Sequence, residues 1–290
     1  MTAHAAGAFR IWRLWSAWLL LASAFLGLAG CATDKGGSSP GAPRADIITD
    51  SDEPEGRKRA RIRLELAVGY FEEGQTTIAL DELKLALNAD PNFGEAFNLR
   101  GLIYLRLNDV RLAEDSFKRA MVLTPNDANV LHNYGWLLCQ QSRFSESVQM
   151  FARALANPLY GDRPKTLMAQ GVCQIRAGQF ADAEASLTRS YELDAANPIT
   201  GYNLSNLLFQ RGESVRAQFY IRRINNSELA NAESLWLGIK VERRLNNTEG
   251  ADQLATQLRK RFTQYPQAMF LVPGGLKSLK GRQAYGGLHL

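Results

Sequence analysis

A chain of 290 residues, 46% hydrophobic and 22% charged with a formal charge of +5, has the profile of an ordinary globular protein. That profile excludes a wholly disordered, collagen-like or multi-pass membrane chain. Three His, of which His132 alone is interior, and three Cys exclude a site needing two interior imidazoles, a Cys-only zinc centre and a Cys-rich disulfide scaffold. No P-loop or dinucleotide fingerprint occurs, so neither a cofactor, a metal, a small-molecule substrate nor catalysis is expected.

Residues 1–30 read as an address. Arg10 and Arg13 precede an apolar stretch from Leu14 to Leu28, and no acid occurs before Asp34. About 15 residues is short for a membrane-spanning helix and right for the apolar core of a secretory signal. The stretch ends in Leu28-Ala29-Gly30-Cys31, which resembles the lipobox of bacterial lipoproteins. That resemblance implies cleavage before Cys31, lipid attachment there, and anchorage by more than one acyl chain. Ala32, in place of Asp, favours the outer membrane, with the protein on its periplasmic face. A plain signal peptide with a chance Cys, or an uncleaved anchor, are the alternatives. Cleavage removes two Arg and no acid, so the net charge falls from +5 to +3. Residues 31–56, with Gly36-Gly37-Ser38-Ser39-Pro40-Gly41 and Asp50-Ser51-Asp52-Glu53-Pro54, lack an apolar period and read as a flexible tether.

From residue 60 the chain repeats with a period near 34. Residues 94–127 place Phe97, Gly101 and Tyr104 in one predicted helix and Ala113, Phe117, Ala120 and Pro125 in the next. Residues 60–93 match with Leu66, Ala67, Tyr70, Ala79, Leu83, Ala86 and Pro91, and residues 128–161 with Leu131, Tyr134, Gly135, Leu138, Phe151 and Ala154. Weaker units follow at 164–197, 198–230 and 231–266, the last suited to a terminal cap. The pattern is that of the tetratricopeptide repeat. It predicts an all-α, right-handed solenoid of about six helix pairs over 60–266, with 267–290 as an irregular basic tail. Small residues let two helices approach, large ones fill the gaps, and Gly74, Gly178 and Gly212 supply turns.

In tetratricopeptide repeats the concave groove is lined mainly by five positions of the first helix, helix A. Here they include Leu64, Val68, Phe71, Leu102, Leu105 and Arg106 in the first two units. His132, Trp136, Cys139, Met168, Val172, Ile175, Tyr202, Asn206 and Phe209 follow, with Asn98, Asn133 and Asn203 at the rim. Such a groove suits an amphipathic helix or apolar strand of a partner protein. Some of these side chains are equally able to pack between neighbouring A helices. Cys139 and Cys173 sit on adjacent A helices, where either a disulfide or two buried thiols fit. The basic clusters Arg57-Lys58-Arg59 and Arg259-Lys260-Arg261 fit solvation or anionic headgroups; no nucleic-acid partner is expected.

Three stretches carry a more specific resemblance. They are Val130-Leu131-His132-Asn133-Tyr134-Gly135 with Leu137-Leu138-Cys139, Asn157-Pro158-Leu159-Tyr160 leading to Gly171-Val172-Cys173, and Ser234-Leu235-Trp236-Leu237-Gly238-Ile239 with Gln257-Leu258-Arg259 and Pro266. With the lipobox Cys and tether, they resemble the type IV pilus biogenesis/stability lipoproteins, the pilotins. The resemblance implies a non-enzymatic outer-membrane lipoprotein. It would bind the pilus secretin, support its localisation and multimerisation, and so support twitching motility. The competing expectation is an adaptor for cell-wall hydrolases or for an outer-membrane insertion machinery.

Overall fold

In a computed structural model of the chain, residues 52–265 are described. The leader 1–30, Cys31, the tether to residue 51 and the tail from 266 lie outside them.

Among the described residues there are twelve helices and no strand. They are α1 (Glu55–Glu72), α2 (Thr76–Ala89), α3 (Gly94–Arg106), α4 (Val110–Leu123), α5 (Ala128–Gln140) and α6 (Phe144–Leu155), followed by α7 (Arg163–Arg176), α8 (Phe180–Leu193), α9 (Pro198–Gln210), α10 (Ser214–Asn225), α11 (Ala232–Arg244) and α12 (Thr248–Arg261). Odd-numbered helices are the A helices and even-numbered ones the B helices of six successive pairs. This is the all-α solenoid of tetratricopeptide repeats.

Local chemistry sets the helix ends. Side chains of Asp109, Asp127, Asn197 and Asn247 accept backbone N–H groups at the starts of α4, α5, α9 and α12. Asn231 and Ser234 form a reciprocal capping box on α11. Between A and B every turn needs a left-handed residue. Gly74, Gly178 and Gly212 serve at φ 76–83°, whereas Asn108, Ser142 and Asn246 take φ near 60° at the equivalent places. Helix α1 starts two residues inside the segment read as tether. Pro54 is its extended N-terminal neighbour, and the Pro54 carbonyl accepts the Lys58 N–H at 3.1 Å. Arg57 then pairs with Asp90 and lies over the Phe93 ring, tying that first turn to the end of α2.

Helices A and B approach closely at glycines of α3 and α7. A Cβ on Gly101 would meet the Phe117 ring at 2.6 Å, and one on Gly171 would meet Leu187 at 2.6 Å. The B helices repeat a fully buried large side chain at this level, Leu83, Phe117, Phe151, Leu187 and Ile221. One turn earlier comes a small one, Ala79, Ala113, Ser147, Ala183 and Ala217. Each A helix also packs on the next A helix at all five junctions, and no two B helices meet to a comparable extent. The A helices therefore form the inner layer of the stack and the B helices its outer layer.

Ser142 occupies a left-handed turn position that glycine fills in three other repeats. Ser142→Gly is expected to stabilise the fold by about 0.5–1 kcal/mol, and calorimetry should record a higher unfolding temperature. A lower one would mean that the Ser142 side chain contributes something other than turn geometry.

Candidate functional site: the inner groove

The inner layer places most of the expected lining residues at its surface. Leu64, Phe71, Leu102, Leu105, Trp136, Ile175, Tyr202, Asn206 and Phe209 are half-buried, and Val68 is exposed. The half-buried apolar ones keep one side against the core and leave the other open. Leu64, Phe71 and Leu102 back onto the core of the first two repeats, and Leu105 onto Tyr134 and Leu138. Trp136, Ile175, Tyr202 and Phe209 pack on the large central cluster.

Met168 and Val172 depart from the expectation. They are 3% and 7% exposed and belong to the central core with Leu204, Leu207 and Leu208. The neighbouring helix α9 closes over them, and the larger rings of Trp136, Tyr202 and Phe209 cover the same cluster. His132 and Cys139, expected on the same face, are also buried.

His132 is instead part of a buried polar chain. Its Nδ1 lies 2.8 Å from Thr166 Oγ1, which lies 2.9 Å from the Tyr160 hydroxyl. Its ring tilts against Phe151 at 5.8 Å. This chain ties α5, the connection after α6 and α7 together where the repeat is longer than its neighbours. Cys139 and Cys173 join the same two A helices as a disulfide, with Cα atoms 5.8 Å apart.

The polar groups of the groove are sparse. Asn133 donates through Nδ2 to Asn98 Oδ1 at 3.1 Å, and Asn203 donates to the Ile199 carbonyl at 2.8 Å. Asn133 is thus committed to its neighbour on α3. Cations line one edge. Arg106 donates to the Phe71 carbonyl and lies 3.6 Å over its ring. Arg176 approaches the Cys139 sulfur at 3.8 Å, and the Lys240 ammonium stands 5.6 Å from the centre of the Phe209 ring. The sequence reading had Arg106 but missed Arg176 and Lys240. Arg176 was legible from the register, which puts it at the same repeat position as Arg106. Burial pushes the Lys240 pKa down.

Carboxylates are held elsewhere, mostly by arginines between B helices and turns. Burial would raise the Glu114 carboxyl, but hydrogen bonds from Arg143, Lys118 and Gln141 outweigh it and hold the pKa at about 2. Arg211 and Arg216 hold Glu184 in the same way. Among the described residues no group of three or more His, Cys, Asp or Glu could hold a metal ion. No described helix is long and apolar enough to cross a membrane.

An all-helical stack of pairs with a half-buried apolar inner face defines a tetratricopeptide-repeat protein, and the tetratricopeptide repeat family model matches residues 64–128 and 135–198. Among curated relatives, the type IV pilus assembly protein PilF of Pseudomonas aeruginosa is 27% identical over 238 residues, 82% of this chain and 90% of that protein. The crystal structure of PilW, a widely conserved type IV pilus biogenesis factor, is similar with a TM-score of 0.68 at 30% identity, covering 72% of this chain and 96% of that one. The Pseudomonas aeruginosa PilF structure also gives 0.68, at 26% identity, covering 74% and 97%. The chain belongs to the tetratricopeptide-repeat proteins of type IV pilus biogenesis.

Two outcomes test this geometry. Burial, helped by nearby Lys165, lowers the His132 pKa from 6.5 to about 4. The unfolded chain therefore binds more protons between those values, and stability is full above pH 6.5 and falls as the pH drops toward 4. The urea midpoint should decline across that window in the wild type, and His132→Gln should flatten the decline. Alkylation of the denatured, unreduced chain should leave Cys139 and Cys173 unlabelled, and prior reduction should expose both.

Proposed function

We propose that this protein is an outer-membrane lipoprotein of the pilotin kind, acting by binding and not by catalysis. Lipid on Cys31 anchors it at the periplasmic face. The tether, of roughly 25–30 Å reach, holds the helical stack off the surface. The inner groove captures a segment of the type IV pilus secretin. By that capture the protein supports secretin localisation and multimerisation at the outer membrane, and hence pilus stability and twitching motility.

The observation that carries this reading is the row of half-buried apolar and aromatic side chains along the inner layer, from Phe71 through Leu105 and Trp136 to Tyr202 and Phe209. A contiguous apolar face of this kind marks an interaction site on an exported protein. Membership of the pilus biogenesis family supports the choice of partner. The lipobox-like run before Cys31 supports the address.

Heat-resistant secretin multimers in cell envelopes provide the test. Replacing the wild type with Cys31→Ser should mislocalise the multimers, and Trp136→Glu should reduce them several-fold with the protein still folded and anchored. Undiminished multimers in both strains would overturn the proposal. Affinity capture that enriches cell-wall hydrolases or insertion machinery in place of secretin would favour the adaptor reading.

A further inference from the structure

The middle of the inner layer contains no acid. Helices α5, α7 and α9 have neither Asp nor Glu in their sequences. Helix α11 has two, and neither is directed at the cationic edge. Glu242 is buried and takes hydrogen bonds from Arg222, Gln218 and Asn247, and Glu233 lies near Tyr265 at the far end. On the first two A helices, Glu65, Glu72 and Glu95 are the acids at or beside groove positions, and all belong to the opposite end of the stack.

Against this neutral background stand Lys165, Arg176 and Lys240. None of them has an ion pair among the described residues. Residues 266–290 cannot supply an acidic side chain, because they contain no Asp or Glu.

Lys240 is the most telling of the three. One repeat apart, the same position on the preceding A helices holds Val68, Leu102, Trp136, Val172 and Asn206, none of them charged. Lys240 stands over the ring of Phe209 on the preceding A helix. A half-buried ammonium against an apolar surface loses hydration, and here it lies over the face of a ring. A cation so placed is destabilising until a carboxylate neutralises it. Burial accordingly depresses its pKa. Arg176, at the end of α7, likewise lies against the Cys139 sulfur and the Phe144 ring. Helix C-termini attract cations by themselves, which is enough for Arg176 but not for Lys240, one turn inside α11.

We propose that the groove across the third to sixth repeats accepts an acidic amphipathic partner segment, its apolar side chains against Trp136, Tyr202 and Phe209 and its carboxylates on Arg176 and Lys240. This rests on the reading of the inner groove as the partner-binding face, and it specifies the chemistry of the occupant. The apolar row provides the contact area, and the unpaired cations fix direction and exclude basic segments, since charge complementarity selects partners more than it adds affinity.

Fluorescence anisotropy with the full-length chain in detergent tests it. Two labelled peptides of equal length share the same Leu and Phe positions and differ only in carrying Glu or Lys at the polar ones. The Glu peptide should bind about ten-fold more tightly at low salt, and the advantage should shrink as salt rises. Lys240→Glu with Arg176→Glu should abolish or invert the preference. Lys240→Met, which gives this position an uncharged side chain as in the other repeats, should cut it several-fold with the fold kept. Equal binding of the two peptides, no binding of either, or a preference unchanged in the variants would overturn the inference. If secretin is captured without any acid preference, this inference alone falls. If the acid preference holds and secretin is not captured, the pilus reading alone falls.

Discussion

In the second, third and fourth pairs, a glycine of helix A lets helix B bring a ring or a leucine directly onto it. Gly101 receives Phe117, Gly135 receives Phe151 and Gly171 receives Leu187. Any Cβ at these points would overlap the facing side chain, so the separation of the two helices is set by a small residue meeting a large one. A pair held this closely still has an uncovered apolar flank, which only the next pair can bury. The result is a row of neighbouring clusters, the largest reaching across the fourth to sixth pairs, in place of one central core. Because the A helices meet across repeats and the B helices do so less, the same contact also decides which layer faces inward.

The stack is reinforced where its period is interrupted. Residues 156–162 lengthen the connection between the third and fourth pairs, and Tyr160 turns inward from that connection to reach Thr166. His132 completes the chain, and the Cys139–Cys173 bond crosses the same junction. Ser147, at a place where most other repeats have alanine, donates to the Gly135 carbonyl at 2.7 Å and sits 3.3 Å from the Cys173 sulfur. The extra residues therefore do not loosen the solenoid. They bring polar groups that satisfy one another inside it. Exposed ion pairs such as Lys84–Asp81 contribute little by comparison.

The groove inherits its character from the inner layer. Its side chains are backed by core on one side, which limits their motion and presents rings and leucines in a fixed row. Acids are gathered into networks with arginines on the B helices and turns, around Glu114, Glu184 and Glu242. That segregation leaves the central inner face apolar with cations at its edge.

Helix content, repeat number and the pairing of helices were legible in the residues, because small and large side chains recur at helical spacing and every unit solves the same packing problem. The turn glycines at 74, 178 and 212 were legible too, since few residue types take a positive φ; Asn108, Ser142 and Asn246 in the same role were not. The groove register found half-buried positions where a large side chain bridges core and solvent, as at Phe71, Trp136 and Phe209. It was misread at Met168 and Val172, because register fixes only the side of the helix a residue occupies. How deeply that side is covered depends on the neighbouring helix, here α9, and on rings arriving from other repeats. Lys240 escaped for a related reason. Its significance lies in contrast with the equivalent slot of each other repeat and in the absence of a nearby carboxylate, and both depend on which helices the stacked fold brings side by side.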